Sequence, residues 1–342
     1  MPLLPAGISK RWIAIVLLAT PPLVLLAVYL RLIEQRSWLP RTLKHDGSVT
    51  QAMFSPDGKT IAVAVDEKGV ALWDAKQEEL TRPLPTTYAT THSLCFSPAG
   101  ELIASGGSGS VEEGPAELRM WDCQTGQLTR KLYPQGNHLF SIVFTPDGNT
   151  IITSSGRGGA IEFWDVQTGK LRRTLKWDRD LILPTLALSA DGKALASGVE
   201  GTGIRIWEMK TGKLKQTWTL PGDGDFPALA FAPRVISGHK DMLATGNGDG
   251  IVRLWNPHTG RLLRKLYGHT DQVQSLAFSA DGSLFVSGGY DGFVRIWSTA
   301  KWELLRTMKE GKDTVTSVAF SPDGTTLAVG GRDGKIILWR IK

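Results

Sequence analysis

The chain has 342 residues, of which 42% are hydrophobic and 21% charged, with 38 glycines and 12 tryptophans. These proportions argue against a disordered chain and allow a sizeable core, and the glycine and tryptophan counts point to many turns and a recurring aromatic. The net charge of +6 does not argue for nucleic-acid binding: half of it lies in the first 36 residues, where Lys10, Arg11, Arg31 and Arg36 face only Glu34, and the remainder is spread without a basic block.

The first element is an apolar run. Residues 12–30, "WIAIVLLATPPLVLLAVYL", carry no charge and lie between Lys10/Arg11 and Arg31. At about 1.5 Å per residue such a run matches the roughly 30 Å of hydrocarbon in a bilayer. Trp12, Tyr29 and Trp38 stand where interfacial aromatics are favoured, and the Pro21-Pro22 pair is tolerated in a membrane helix. The expectation is an uncleaved, single-pass signal anchor, because no small-x-small cleavage site follows; a cleaved signal peptide, releasing a secreted or periplasmic protein, is the alternative. Lys/Arg counts on the two sides do not orient the segment, and the body after it is expected to be extracytoplasmic. The domain plan is a tail over 1–11, an anchor over 12–30, a linker over 31–37 and a folded body over 38–342.

Past residue 40 the sequence repeats. Seven strand endings, "VALWD", "LRMWD", "IEFWD", "IRIWE", "VRLWN", "VRIWS" and "IILWR", place tryptophan at 73, 121, 164, 207, 255, 297 and 339, at intervals of 42 to 48. Before each comes an apolar strand ending at Phe54, Phe96, Phe144, Leu188, Phe231, Phe278 or Phe320, mostly followed by "SPDG" or a relative. Ser-Pro-Asp-Gly suits a type I turn, and "QTGKL"-like segments give a second turn before a further short strand. Alternating apolar and polar residues indicate half-buried strands, four to a unit, and a period of this size indicates a stacked or radial array.

With these motifs the chain resembles the WD-repeat family of β-propellers over residues 38–342. The resemblance implies an all-β, seven-bladed propeller of four-stranded blades, here preceded by one transmembrane helix. The last copy ends three residues after Trp339, and "WLPRTLK" at 38–44 is similar to the outer strands "LTRKL", "LRRTL" and "LLRKL". By analogy it closes blade seven, leaving no open edge.

The stretch 268–297 contains His269, Ser287, Asp291 and Trp297. The resemblance implies that these four form a structural hydrogen-bonded tetrad inside blade six, not a catalytic triad. It also implies partial sets elsewhere, namely Ser154 with Trp164, Ser197 with Trp207, and Thr245 and Asp249 with Trp255. At a blade entrance the family's Gly-His pair occurs only as Gly268-His269, and blade two shows no turn aspartate.

Other chemistry has little sequence support. The six histidines are scattered with no His-Glu-x-x-His, Cys95 and Cys123 supply neither a disulfide framework nor a zinc site, and "GGSGS" at 106–110 lacks a phosphate-loop lysine. No metal or cofactor is expected. The inner strands carry no Asp, Glu, Lys or Arg, which removes carboxylate chemistry from the central channel.

The reading is therefore a non-catalytic, membrane-anchored scaffold that presents the top face of the propeller to a protein partner, bound to the membrane through residues 12–30. A propeller enzyme or small-ligand binder with a loop-borne site is the alternative. Carried over from the family's top-face positions, the partner-binding candidates are His92, His138, Phe140, Arg157, Ile182, Tyr290 and Arg332, rich in the side-chain types that form binding hot spots. A longer blade-two loop with Glu112 and Glu113 at its tip is expected beside them.

Overall fold

A computed structural model describes residues 40–86, 90–108, 115–156, 160–175, 185–199, 203–219, 228–233, 242–309 and 313–341. They form seven four-stranded antiparallel sheets, one for each tryptophan-ended repeat. In blade six the inner strand is Val273–Phe278, the two middle strands are Leu284–Gly289 and Phe293–Ser298, and the outer one is Leu304–Lys309. The middle strands are almost wholly buried and the outer strand almost wholly exposed, as alternation in the sequence requires for a radially stacked sheet.

The core lies between blades. Val286, Val294, Ile296 and Met308 of blade six pack against Val315, Val318, Leu327 and Val329 of blade seven. The same construction joins Leu43, Ile336 and Leu338 of blade seven to Val49, Ile61 and Val63 of blade one. Each such side chain contributes roughly 1.5–3 kcal/mol on burial, so a blade is stable only between neighbours.

Closure uses the first described strand. Arg41–Lys44 pairs antiparallel with Lys335–Arg340, with Arg41 opposite Leu338 and Leu43 opposite Ile336. Blade seven thus takes its outer strand from the N-terminal side of the chain. Residues 38 and 39 of the expected closing strand lie outside the described residues, as does the apolar run 12–30. Among the described residues no helix is long and apolar enough to cross a membrane.

Two sets of polar links run around the ring. Near the channel, a side chain on one inner strand accepts the amide proton of the next: Gln51 from Leu94 at 2.7 Å, Ser93 from Ile142 at 3.1 Å and Ser141 from Leu186 at 3.1 Å. Ser275 accepts from Val318, and Ser317 from Ala52, both at 3.0 Å. At the periphery, arginines at one outer-strand position reach the following blade's turn: Arg82 to the carbonyl of Gln124 and Arg130 to that of Gln167, each at 2.6 Å, and Arg173 to that of Met209 at 2.8 Å. Arg41 occupies this position in the closing strand and pairs with Glu78 of blade one.

The Ser-Pro-Asp-Gly turns and the Thr-Gly turns share one face, the bottom. Outer strands run from bottom to top, so Pro40 enters at the bottom rim, and the opposite face carries the loops that link blades.

Candidate functional site

The structure brings His269, Ser287, Asp291 and Trp297 together. Trp297 Nε1 donates to Ser287 Oγ at 3.2 Å, Ser287 Oγ lies 2.9 Å from His269 Nε2, and His269 Nδ1 lies 2.9 Å from Asp291 Oδ1. Indole only donates, so the arrangement that satisfies every group passes protons from Trp297 to Ser287, from Ser287 to His269 and from His269 to Asp291. Burial lowers the His269 pKa and the proximity of Arg295 lowers it further, against the raising effect of Asp291. Ser287 is fully buried, and its oxygen already accepts the indole proton, whereas a nucleophile needs access to substrate and an adjoining oxyanion site.

Arg295 is a fifth member that sequence reasoning missed. Its Nη1 donates to Asp291 Oδ2 at 3.0 Å and lies 2.7 Å from His269 Nδ1, two donors held together by one carboxylate. Burial pushes the Asp291 carboxyl up, but its hydrogen bonds and the positive field outweigh this and hold it low. The signal was present in "VRIW": arginine stands two residues before tryptophan in "LRMW", "IRIW" and "VRLW" as well. In blade five Arg253 Nη1 meets Asp249 Oδ1 at 3.0 Å. In blade two Arg119 Nε donates to Glu117 Oε2 at 2.7 Å, so Glu117 supplies the carboxylate for which no turn aspartate was found.

The partial sets need one correction. Trp164 donates to Thr153 Oγ1 at 3.2 Å, not to Ser154. The partner hydroxyl sits two residues beyond the one opposite tryptophan: Phe285 faces Trp297 and Ser287 follows, while Ile151 faces Trp164 and Thr153 follows. Because strand side chains alternate, Ser154 points to the other face. Trp207 with Ser197 and Trp255 with Thr245, each at 3.0 Å, stand as expected, and Trp121 with Ser105 at 3.2 Å adds a set.

A further histidine matches the blade-entrance position without a preceding glycine. Trp73 Nε1 donates directly to His45 Nε2 at 2.9 Å, with the rings edge-on at 5.2 Å.

On the top face, two groups of the proposed contact residues come together on opposite sides of the channel mouth. In blades two and three, Phe140 lies between two imidazoles, its ring centroid 5.4 Å from His92 and 5.9 Å from His138. His92 Nε2 is 2.5 Å from Ser108 Oγ, and burial, then the field of His138, pulls its pKa down to about 4. In blades six and seven, Arg332 Nη2 donates to Tyr290 Oη at 3.0 Å, with the guanidinium carbon 5.1 Å from the ring centroid. Asp66 of blade one, not foreseen, continues this arc. Burial and the neighbouring Glu67 raise its pKa against the pull of Arg332. Arg157, Ile182, Glu112 and Glu113 lie outside the described residues. The channel itself, about 500 Å³, is lined by His92, Phe140, Gln274, Ser275 and Thr316 among others, and among the described residues no three metal-ligating side chains gather.

A ring of seven four-stranded blades with indole-to-hydroxyl fasteners defines a β-propeller of tryptophan-ended repeats. The family profile described as "WD domain, G-beta repeat" matches residues 38–74, 126–165, 214–256, 260–298 and 302–340, more than half of the chain, and the chain belongs to the WD-repeat family. It is 28% identical over 122 residues to human apoptotic protease-activating factor 1, covering 33% of this chain and 9% of that protein. It is 49% identical over 43 residues to zebrafish (Danio rerio) WD repeat and SOCS box-containing protein 1, covering 13% of this chain and 10% of that protein. Over 38 residues it is 58% identical to mitochondrial division protein 1 of Eremothecium gossypii, covering 11% and 5% respectively. The matched segments thus span a tenth or less of these relatives.

Proposed function

We propose that this chain is a non-catalytic, membrane-anchored interaction scaffold whose propeller top face docks a protein partner. The observation that carries the reading is Phe140, partly exposed at the channel mouth and flanked by His92 and His138: a rigid aromatic anchor in a concave, semi-buried setting has the character of an interface hot spot. The Tyr290–Arg332 pair offers a second such element across the mouth. The relatives' WD repeats support the scaffold class, since propellers of this family bind protein partners. In this reading the sealed Ser287–His269–Asp291 chain fastens blade six and performs no chemistry.

Membrane attachment rests on residues 12–30 and on where the body begins. Pro40 enters at the bottom rim, so an anchor there turns the top face away from the bilayer. We place the propeller on the extracytoplasmic side; protease added outside sealed cells or spheroplasts then digests it, and protection of the propeller contradicts that orientation. Carbonate extraction leaves an anchored protein in the membrane pellet with its first residues intact. A mature protein beginning after residue 30 and washed free supports the secreted alternative.

The docking claim is tested by affinity capture from solubilised membranes, comparing wild type with a Phe140→Ala variant of equal melting temperature. The expected result is a protein captured by the first and lost by the second. An identical set of captured proteins contradicts the proposed site.

A further inference from the structure

One cavity lies away from the top face. It opens on the bottom between blades four and five, with a volume of about 940 Å³, inside the range of small-molecule sites. Around the bottom, the turn glycine of one blade packs against the turn proline of the blade before. A Cβ placed on Gly58, Gly100, Gly148 or Gly192 lies 3.4, 3.4, 3.7 or 3.0 Å from Cδ of Pro322, Pro56, Pro98 or Pro146. The series stops after blade four: Ala190 stands where these four turns have proline, and blade five has Arg234-Val235 in place of Asp-Gly.

The cavity is lined by the apolar side chains Trp207, Met209 and Phe231 and by Lys193, Lys210 and Lys215. Lys193 and Lys215 have carboxylates at hand, Asp191 at 3.5 Å and Glu208 at 3.0 Å. Lys210 has no ion pair or hydrogen bond among the described residues. A cleft of about 830 Å³ at the seam of blades seven and one sets Arg41, Lys59 and Lys76 against Asp57, Asp74 and Asp323. Of the two, only the seam of blades four and five carries more lysines and arginines than carboxylates, Lys193, Lys210 and Lys215 against Asp191 and Glu208.

We infer that the seam between blades four and five binds a small amphipathic carboxylate, its apolar body over Trp207, Met209 and Phe231 and its anion at Lys210. This site stands apart from the top-face docking reading and survives its failure. The test is calorimetric titration of the full-length protein in an uncharged detergent with 4-phenylbutyrate, using 4-phenylbutan-1-ol as the neutral comparator. Saturable phenylbutyrate binding is expected, weakened at least about tenfold by Lys210→Glu, which alters only an exposed side chain, while phenylbutanol binding is unchanged. The methyl resonance of Met209, identified by its loss in Met209→Leu, shifts on titration. Absence of saturable binding at millimolar phenylbutyrate overturns the assignment. So does equal affinity for Lys210→Glu, or an unmoved Met209 methyl.

Discussion

Trp73 gives its indole proton directly to His45 over 2.9 Å, because Val63 holds the strand position that carries the relaying Ser287 in blade six. His45 follows the closing strand of blade seven, so this bond ties that strand to blade one, and Arg41 does the same at its other end through Glu78. Ring closure is therefore pinned to the adjacent blade at both ends of one short strand. His45→Ala and Trp73→Phe are each expected to cost about 1–2 kcal/mol, and together less than their sum by about 1 kcal/mol, since they remove one shared bond. Urea unfolding of the two single variants and the double variant measures this; strict additivity contradicts the coupling.

Closure draws more energy from packing than from charge. Leu43 is buried among Val49, Ile336 and Leu338, whereas Arg41 is half exposed. Leu43→Ala is expected to cost about 2–4 kcal/mol. Arg41→Ala should cost less than about 1 kcal/mol. Comparable melting temperatures for the two variants would refute this ordering. The residues after Trp339 are also held: Ile341 is buried and its amide bonds the Thr325 carbonyl at 2.8 Å, so trimming beyond Trp339 is expected to destabilise too.

In blade six the fastener should fail unevenly. Ser287→Ala removes a relay between Trp297 and His269 and is expected to cost about 1–3 kcal/mol. Asp291→Ala strands a buried Arg295 without its carboxylate and should cost more, about 3–5 kcal/mol. Denaturant titration of both variants checks the order, and a milder effect for Asp291→Ala shows that Arg295 finds another partner.

Acid should loosen the propeller before its carboxylates titrate. The pKa of His92 falls to about 4 in the folded protein, against about 6.5 when unfolded, so the unfolded chain takes up the proton first. The stability owed to a neutral His92 is complete above about pH 6.5 and is lost as pH falls toward 4, up to roughly 3 kcal/mol. His45 and His269, whose pKa values are also lowered by burial, act in the same direction. Melting temperature is expected to drop through this window and to drop less in His92→Gln; parallel pH profiles contradict the assignment to His92.

Fold and site were unequally legible in the sequence. Tryptophan spacing and Ser-Pro-Asp-Gly turns sufficed for the seven blades, because each motif fixes a strand end or a turn locally. The closing strand was readable by its likeness to other outer strands. A one-residue choice between Thr153 and Ser154 was not, since both are hydroxyls and only the register against Trp164 separates the two faces. His45 was hidden because no glycine precedes it, whereas the geometry needs only an imidazole at that distance from the strand. Arg295 escaped because a charged residue inside an apolar strand reads as surface until its carboxylate is in place. The bottom cavity takes its lining from two blades, which become one feature only when the blades stand side by side.

The docking face is tested most directly by placing the photocrosslinker p-benzoylphenylalanine at position 140 in cells, with position 171, an exposed leucine on the outer edge of blade three, as the comparison. Irradiation is expected to give a discrete, heavier crosslinked species from position 140 and none from position 171. Crosslinks absent from position 140, or equally abundant from both, contradict a top-face docking site at Phe140.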